Sequence, residues 1–369
     1  MIPLERLRAI KHIIAHDNCA DGVASAMILK DVLPNADVRF IQYGTEEQLK
    51  LPAVEGMVFG DFSPHISRVK EFLDVGAVVL DHHGGPAESV TKMFIEQGLG
   101  AFASEATDPG KSGALLAYDN AWLPLSKEVF KDKDPVASLH HLEVVRTLAV
   151  QAGVYDTWQT KNPLWLTACE QKEALHFWPW EKIEVTPYSL WQSELLSTGP
   201  ILFQRNLKHV KKCIKGSHTF TTSKGLRVMF FEGTKPSSDA AELVEDIDLV
   251  IGTAFYVDAG EPKMIFSTRS HTGFNCRALA LAHGGSGHTK SAGFAWTLNV
   301  GDPNPYSLIE TILERYESVE SVWETIISEP GFDKGVASGI IKSKDLYQNL
   351  VLNRTFQTIT PPSSTDQTL

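Results

Sequence analysis

The sequence predicts an α/β fold, with a parallel-sheet domain first and a smaller α/β domain after it. Three observations carry this expectation. Short apolar runs alternate with stretches of helical periodicity through the first part of the chain, the pattern of a parallel sheet with helices on both faces. One such run, Val78-Val79-Leu80, passes straight into Asp81-His82-His83-Gly84-Gly85, as a strand does when its carboxyl end opens into a crevice. A second series of strand and helix patterns begins near Leu226, after a segment rich in Trp, Glu and Lys.

In order along the chain, His12–Ala15 reads as a short strand and Ala20–Leu33 as a helix, with Ala, Val, Met, Ile and Leu recurring at helical spacing. Val38–Gln42 and Met57–Gly60 are strand-like, Ile66–Leu73 is helical, and Ala77–Leu80 is the strand that ends in Asp81. Helices are expected at Lys111–Tyr118 and Leu142–Gly153. Residues 161–220 read as a helical linker. The second α/β unit, 221–300, combines strands Leu226–Phe231, Leu249–Phe255, Met264–Thr268 and Gly293–Leu298 with helices Asp239–Val244 and Asn275–Ala282. Residues 301–358 read as a helical extension, with Leu308, Ile312 and Val319 apolar among charges, and the Ser/Thr/Pro-rich tail 359–369 as disordered. There is no internal repeat.

A chain of 369 residues with 43% hydrophobic content has enough core for two domains. No run of about 18 apolar residues appears, so no spanning helix is expected. The start, Met1-Ile2-Pro3-Leu4-Glu5-Arg6, does not read as a signal peptide. Cys19, Cys169, Cys213 and Cys276 lack paired spacing, which fits a reducing cytoplasm better than a disulfide framework. The net charge of −11 argues against tight sequence-independent binding to duplex DNA but leaves short or single-stranded substrates open. The basic run 205–215 reads first as a solvated helix face and second as a local groove.

Four segments hold the acidic and imidazole groups: His16-Asp17-Asn18-Cys19-Ala20-Asp21, then Asp61, then Asp81-His82-His83, then Asp156. In a parallel sheet the carboxyl ends of strands converge, so three of these segments should meet. Any one aspartate after a strand is ordinarily a turn former or helix cap; four such segments together call for cations. Mixed Asp/His ligation suits manganese, iron or zinc better than calcium. A shared carboxylate can bridge two ions about 3.5–4 Å apart, an arrangement suited to phosphoryl displacement. A second constellation, Gly284-Gly285-Ser286-Gly287-His288 with Lys290, follows a strand ending at Arg269. Glycine amides in such a loop can form a nest for an anion, and Arg269 can grip phosphate or carboxylate.

These two constellations, in this order, resemble the DHH phosphoesterase superfamily with a C-terminal DHHA1 domain, which includes oligoribonucleases, RecJ-like nucleases and cyclic-dinucleotide phosphodiesterases. The signature is Asp81-His82-His83; the C-terminal mark is the glycine loop with His288 and then Ser291-Ala292-Gly293-Phe294. The resemblance covers roughly residues 10–300 and makes 1–160 the DHH catalytic domain and 221–300 the DHHA1 domain, with the active site in the cleft between them. It implies one or two divalent ions, Mn²⁺ first, with Mg²⁺ or Co²⁺ as alternatives. Asp21, Asp61, His82 and Asp156 would hold one ion, and His16 and Asp61 the other. His83 would face the scissile phosphate, Asp81 would orient the histidine pair, and Arg269, Gly284, Gly285, Gly287 and His288 would grip the substrate. The chain departs from the family pattern at Cys19, where many members carry Asp. Three arrangements stay open: the thiolate ligates, Asp17 folds back to serve, or the site beside His16 is weak or empty.

The resemblance implies a metal-dependent phosphodiesterase acting on short RNA, single-stranded DNA or a nucleotide, cytoplasmic, with no membrane partner and homodimerisation open. A cyclic-dinucleotide phosphodiesterase and a nucleotide 3′-phosphatase are alternatives within the class. A non-catalytic scaffold is the alternative outside it, and Cys19 is its one sequence hint.

Overall fold

The computed structural model of the protein describes residues 2–103, 108, 110–131, 134–186, 188–234, 237–258, 260–299, 304–329, 331–337, 339 and 341–357. The tail expected to be disordered, 359–369, lies outside the described residues. The chain divides into two compact units, Met1–Arg205 and Asn206–Leu369.

The first unit is built on a five-stranded sheet of β1 (His12–His16), β2 (Asp37–Ile41), β3 (Met57–Gly60), β4 (Val78–Asp81) and β5 (Gly100–Phe102). All neighbours pair in parallel, in the order β2-β1-β3-β4-β5. β3 and β4 are buried at every position, which is why they read as unbroken apolar runs. Their side chains still alternate between two cores. Ile13, Ala15, Val58, Val78 and Leu80 pack on one face with the helices Ala20–Val32 and Pro135–Asp156. Ile14, Met57, Phe59 and Val79 pack on the other, against Phe72 and Phe94 from the helices Val69–Asp74 and Pro86–Glu96. β2 is an edge strand carrying Asp37 and Arg39, charges that suit an unpaired edge.

Segment 161–220 does not behave as the linker the sequence suggested. Helices Trp165–Phe177 and Trp180–Val185 and the start of Tyr188–Lys215 contribute Leu175, Ile183 and Trp191 to the first unit's core. Trp191 is a core residue, which a composition-based reading takes for part of a connector. Arg205, Lys208, Lys211, Lys212 and Lys215 are exposed along the helix Tyr188–Lys215, as expected of a solvated face.

The second unit has a mixed six-stranded sheet, ordered β10-β11-β9-β8-β7-β6. Its strands are β6 (His218–Thr221), β7 (Arg227–Glu232), β8 (Leu249–Asp258), β9 (Glu261–Arg269), β10 (Ser286–Gly287) and β11 (Ser291–Thr297). Within it only β7 and β8 pair in parallel. The helices Pro305–Ser328 and Ser343–Gln357 are part of this unit's core. Leu308, Ile312, Tyr316, Trp323 and Tyr347 cluster with Phe266, Leu279 and Phe294, and Trp323 Nε1 donates to the Ala278 carbonyl at 2.9 Å. These two helices therefore complete the second domain instead of extending from it. No helix among the described residues is long and apolar enough to cross a membrane.

Candidate metal centre

The sheet order of the first unit fixes where a site can form. Successive connections run to opposite sides of β1, so the chain parts between β1 and β3, and the crevice lies at their carboxyl ends. His16 ends β1, Asp61 follows β3, Asp81 ends β4, and His82 and His83 follow it. Asp21 lies in the first turn of the helix Ala20–Val32. Asp156 is the last residue of the helix Pro135–Asp156.

These side chains form three groups, and within each the ligand atoms lie within 4.8 Å of one another: Asp21 with His82 and Asp156, His16 with Cys19 and Asp61, and Asp61 with His82 and His83. Asp61 joins the last two and is the natural bridge. His82 Nε2 is 3.2 Å from Asp61 Oδ1 and 3.1 Å from Asp156 Oδ2; His16 Nδ1 is 3.5 Å from Asp61 Oδ2. Yet Asp61 Oδ1, Asp61 Oδ2 and His16 Nδ1 are buried without a hydrogen bond of proper geometry among the described residues. Buried polar atoms are normally satisfied. Imidazole nitrogens and carboxylate oxygens this close, without well-formed hydrogen bonds, are what a cation requires. The carboxylate/imidazole/thiol donor set fits a divalent transition metal.

The neighbours hold these groups in place. Asp81 Oδ1 accepts from the His82 and His83 amides at 2.8 and 3.2 Å and lies 2.7 Å from His83 Nδ1. Tyr43 Oη donates to Asp81 Oδ2 at 2.7 Å and accepts from the Ser63 amide at 2.9 Å. Asp81 thus orients the His83 ring, and its hydrogen bond to His82 is to the backbone amide. Gln42 Oε1 lies 2.8 Å from His16 Nε2, which turns Nδ1 toward Asp61. Ser112 Oγ donates to Asp21 Oδ1 at 2.7 Å, and the Ala114 amide donates to the same carboxylate. Gly113 lies so close to Asp61 that a Cβ there would stand 2.4 Å from Asp61 Cβ. A Cβ on Gly22 would stand 2.2 Å from the His16 carbonyl oxygen. Every described non-glycine residue with positive φ flanks or forms this cluster: Asn18 at 54°, Asp61 at 55° and Trp158 at 57°. Such strain persists only where the surroundings over-determine it.

The electrostatics show an excess of buried negative charge. Burial, then Asp61 and Asp156, push the Asp21 carboxyl well above its usual range. For Asp61 burial acts upward too, but the contacts to His16 and His82 outweigh it and hold the carboxyl well below. Burial would lower His82, but Asp156 and Asp61 raise it well above an ordinary histidine. His16 is raised in the same way, by Asp61 against burial. Without a cation, then, protons gather on Asp21 and His82.

Cys19 belongs to the cluster, its Sγ 3.9 Å from Asp156 Oδ1. Burial, then Asp61, Asp156 and Asp21, raise its thiol well above normal, so it ligates as thiolate only if a cation stabilises the charge. Asp17 does not fold back. Its two oxygens accept from the Asn18 amide and Asn18 Nδ2, each at 2.9 Å.

The substrate-binding residues expected from the sequence belong to the second unit. Arg269 ends β9 and is held by Ser238 Oγ at 2.7 Å, Ser267 Oγ at 3.2 Å and the Thr268 carbonyl at 2.8 Å. Three amides of the glycine loop already have backbone partners. Gly284 N–H donates to the Leu281 carbonyl, Gly285 N–H to that of Ala280 and His288 N–H to that of Ser291. The glycines serve close packing: a Cβ on Gly285 would meet the Gly293 carbonyl at 2.1 Å, and one on Gly287 would meet Ala292 Cα at 2.5 Å. The Gly284, Gly285 and His288 amides are therefore spent on the preceding helix and the β10–β11 hairpin.

Sequence reading missed Gln42, Tyr43, Ser63, Ser112 and Gly113. Ser112-Gly113 ahead of an apolar run looks like an ordinary helix start; nothing local ties it to Asp21 or Asp61.

The DHH domain of a protein assigned to a family of ribosomal proteins aligns with a TM-score of 0.54 at 14% identity, over 84% of this chain and 87% of that one. The chain has the DHH-domain fold. RecJ from Thermus thermophilus, solved in complex with Mn²⁺, aligns with a TM-score of 0.47 at 17% identity, over 85% of this chain and 53% of RecJ, so the chain spans about half of that protein. A pGpG-specific phosphodiesterase from Vibrio cholerae aligns with a TM-score of 0.35 at 13% identity, over 82% of this chain and 98% of that one. No family model and no curated protein matches the sequence.

Proposed function

We propose that the protein is a divalent-metal-dependent phosphoesterase that hydrolyses phosphodiester bonds in short oligonucleotides or single-stranded nucleic acid. The observation that carries this reading is Asp61: a buried carboxylate with neither oxygen in a well-formed hydrogen bond among the described residues, shared by two ligand groups. Asp21, Asp61, His82 and Asp156 would hold one ion, and His16, Cys19 and Asp61 a second, with Mn²⁺ the ion proposed. A divalent cation held by these residues would supply Lewis acidity toward a phosphoryl oxygen and would lower the pKa of water.

The chain's own groups have separate tasks. Asp61 and Asp21 position and charge-balance the centre, both fully buried. Asp81, fixed by Tyr43, accepts the Nδ1 proton of His83 and so leaves the Nε2 edge of the ring for substrate. The His83 side chain is 20% exposed, enough for substrate to reach it. Tyr43 and Phe62 pack around His16 and keep bulk water from one side, which strengthens charge interactions inside. Arg269 and His288 are assigned to substrate phosphate; serines and a carbonyl hold the Arg269 guanidinium in advance of binding.

The test is incubation of purified protein with Mn²⁺ and a 5′-labelled short oligoribonucleotide. Mononucleotide release is expected from the wild type, none from Asp61→Ala, and undiminished or greater release from Cys19→Asp. Absence of release, together with no metal found by elemental analysis, overturns the enzyme reading. A panel of dinucleotide, longer single strand, cyclic dinucleotide and 3′-phosphorylated nucleotide then assigns the substrate.

A further inference from the structure

The second unit contains a cavity of about 130 Å³ that the metal centre does not use, and its walls are unusual. Leu308, Ile312 and Arg315 come from the helix Pro305–Ser328, Tyr347 from Ser343–Gln357, and Trp296 from β11; His283 closes it, directly before the glycine loop. His283 is 6% exposed and Tyr347 1% exposed. Both imidazole nitrogens of His283 and the hydroxyl of Tyr347 are buried with no hydrogen-bond partner among the described residues. Such groups are normally satisfied by protein or ordered water, and a ligand that replaces water here must offer the same hydrogen bonds.

The cavity chemistry is specific. The His283 ring stacks on Phe294 at 4.8 Å between centroids and stands 5.6 Å from Trp296 and 5.5 Å from Tyr347. Burial, then Lys344 and Arg315, push its pKa down to about 3. At neutral pH it is uncharged, with one N–H donor and one acceptor nitrogen. Arg315 and Lys344 are exposed residues that bring positive charge to the same ring, and Lys344 Nζ stands 6.0 Å from the Trp296 ring centroid.

The volume sets the ligand size. A water claims about 30 Å³, and a cavity of about 150 Å³ accommodates benzene. At about 130 Å³ this cavity is slightly smaller, so it takes at most one flat ring, with apolar faces for Leu308, Ile312 and Trp296 and polar edge atoms for His283 and Tyr347.

We propose that this cavity is a binding site for a single-ring nitrogen heteroaromatic carrying an anionic group, with the ring among His283, Trp296 and Tyr347 and the anion at Arg315. A pyrimidine nucleotide has this chemistry when its ring alone enters the cavity and its ribose and phosphate stay outside, along the exposed Arg315. The site stands independently of the metal-centre reading, because every residue invoked lies in the second unit and none is a proposed metal ligand.

The test is titration calorimetry of chelator-treated full-length protein with CMP and UMP, compared with uridine and AMP. Saturable binding of a pyrimidine nucleotide is expected, with weaker binding of uridine, which lacks the anion, and of AMP, whose ring system is larger. Arg315→Gln, at an exposed position, should weaken CMP binding about tenfold through loss of a charge-assisted contact. Ile312→Trp should abolish it by filling the cavity, with circular dichroism to confirm folding. Asp61→Ala should leave it unchanged, which separates this site from the metal centre. No saturable binding to the wild type, or binding that Arg315→Gln leaves intact, overturns the proposal.

Discussion

Gly113→Ala tests how tightly the metal centre is built. The added methyl would stand 2.4 Å from Asp61 Cβ, 2.6 Å from its Cα and 2.7 Å from its Oδ1. Ordinary contact begins near 3.4 Å, so Asp61 or the helix Gly113–Ala117 must move by about 1 Å to relieve the overlap. Asp61 has little freedom to yield: its φ of 55° is already in the left-handed region, and its amide is bonded to the Leu80 carbonyl at 2.9 Å. Overpacking of this kind destabilises by about 1–3 kcal/mol. Disturbing the support of a metal ligand lowers ion affinity by about 10–100-fold. Calorimetric titration of chelator-treated protein with Mn²⁺ reads the affinity, and urea unfolding reads the stability. Gly84→Ala is the control, because a methyl there meets nothing within 4 Å and should change neither quantity. If Gly113→Ala bound Mn²⁺ as the wild type does, Asp61 would not be the shared ligand, or its position would not matter.

Three further outcomes follow from the same geometry. Because burial and its carboxylate neighbours raise Asp21, and Asp156 and Asp61 raise His82 against burial, metal must displace protons; Mn²⁺ affinity should climb with pH by about tenfold per unit for each proton released, and affinity flat between about pH 6 and about pH 8 would contradict that charge balance. His283 binds its proton only at about 3 when folded, against an ordinary 6.5, so the unfolded chain takes up the proton first and stability falls as pH drops from about 6.5 toward 3, by ~2 kcal/mol at pH 5. Urea unfolding should show that His283→Phe removes this part of the pH dependence, and equal slopes for both proteins would refute it. Tyr43→Phe leaves Asp81 Oδ2 and the Ser63 amide without their shared partner and should reduce stability by about 1.5–3 kcal/mol in urea, the usual range for a hydrogen bond to a charged group.

The ligand positions are legible in the sequence because they obey a local rule. β3 and β4 are buried on both faces, so their apolar runs are continuous, and each run ends where the polar residues begin. Met57–Gly60 matches β3 as predicted, and β1 runs one residue further than expected, to His16. Less periodic elements leave no such trace. β5 has three residues, too few for a pattern. The helix Pro135–Asp156 has exposed Val136 and Leu139 in its first turns, which blurs the apolar face, so periodicity places its start at Leu142. The helix Ser343–Gln357 is masked for a related reason: Tyr347 is buried while Leu346 and Leu352 are exposed.

The α/β class, the strand ends and the acidic and imidazole groups that meet in the first unit can be read from residue order alone, because strand periodicity and parallel pairing follow from it. Tertiary structure decided everything that depends on a distant neighbour. It set Gly113 against Asp61, Ser112 on Asp21 and Tyr43 beside Asp81, contacts 38 to 91 residues apart in the chain for those with hydrogen bonds. It removed Asp17 from the centre and kept Cys19 in it. It spent the Gly284, Gly285 and His288 amides on local backbone bonds, and it set His283 and Tyr347, whose polar ring and hydroxyl atoms have no hydrogen-bond partner among the described residues, against a cavity whose walls come from two helices and a strand. No local pattern encodes such contacts, because close packing depends on which surfaces the folded chain brings together.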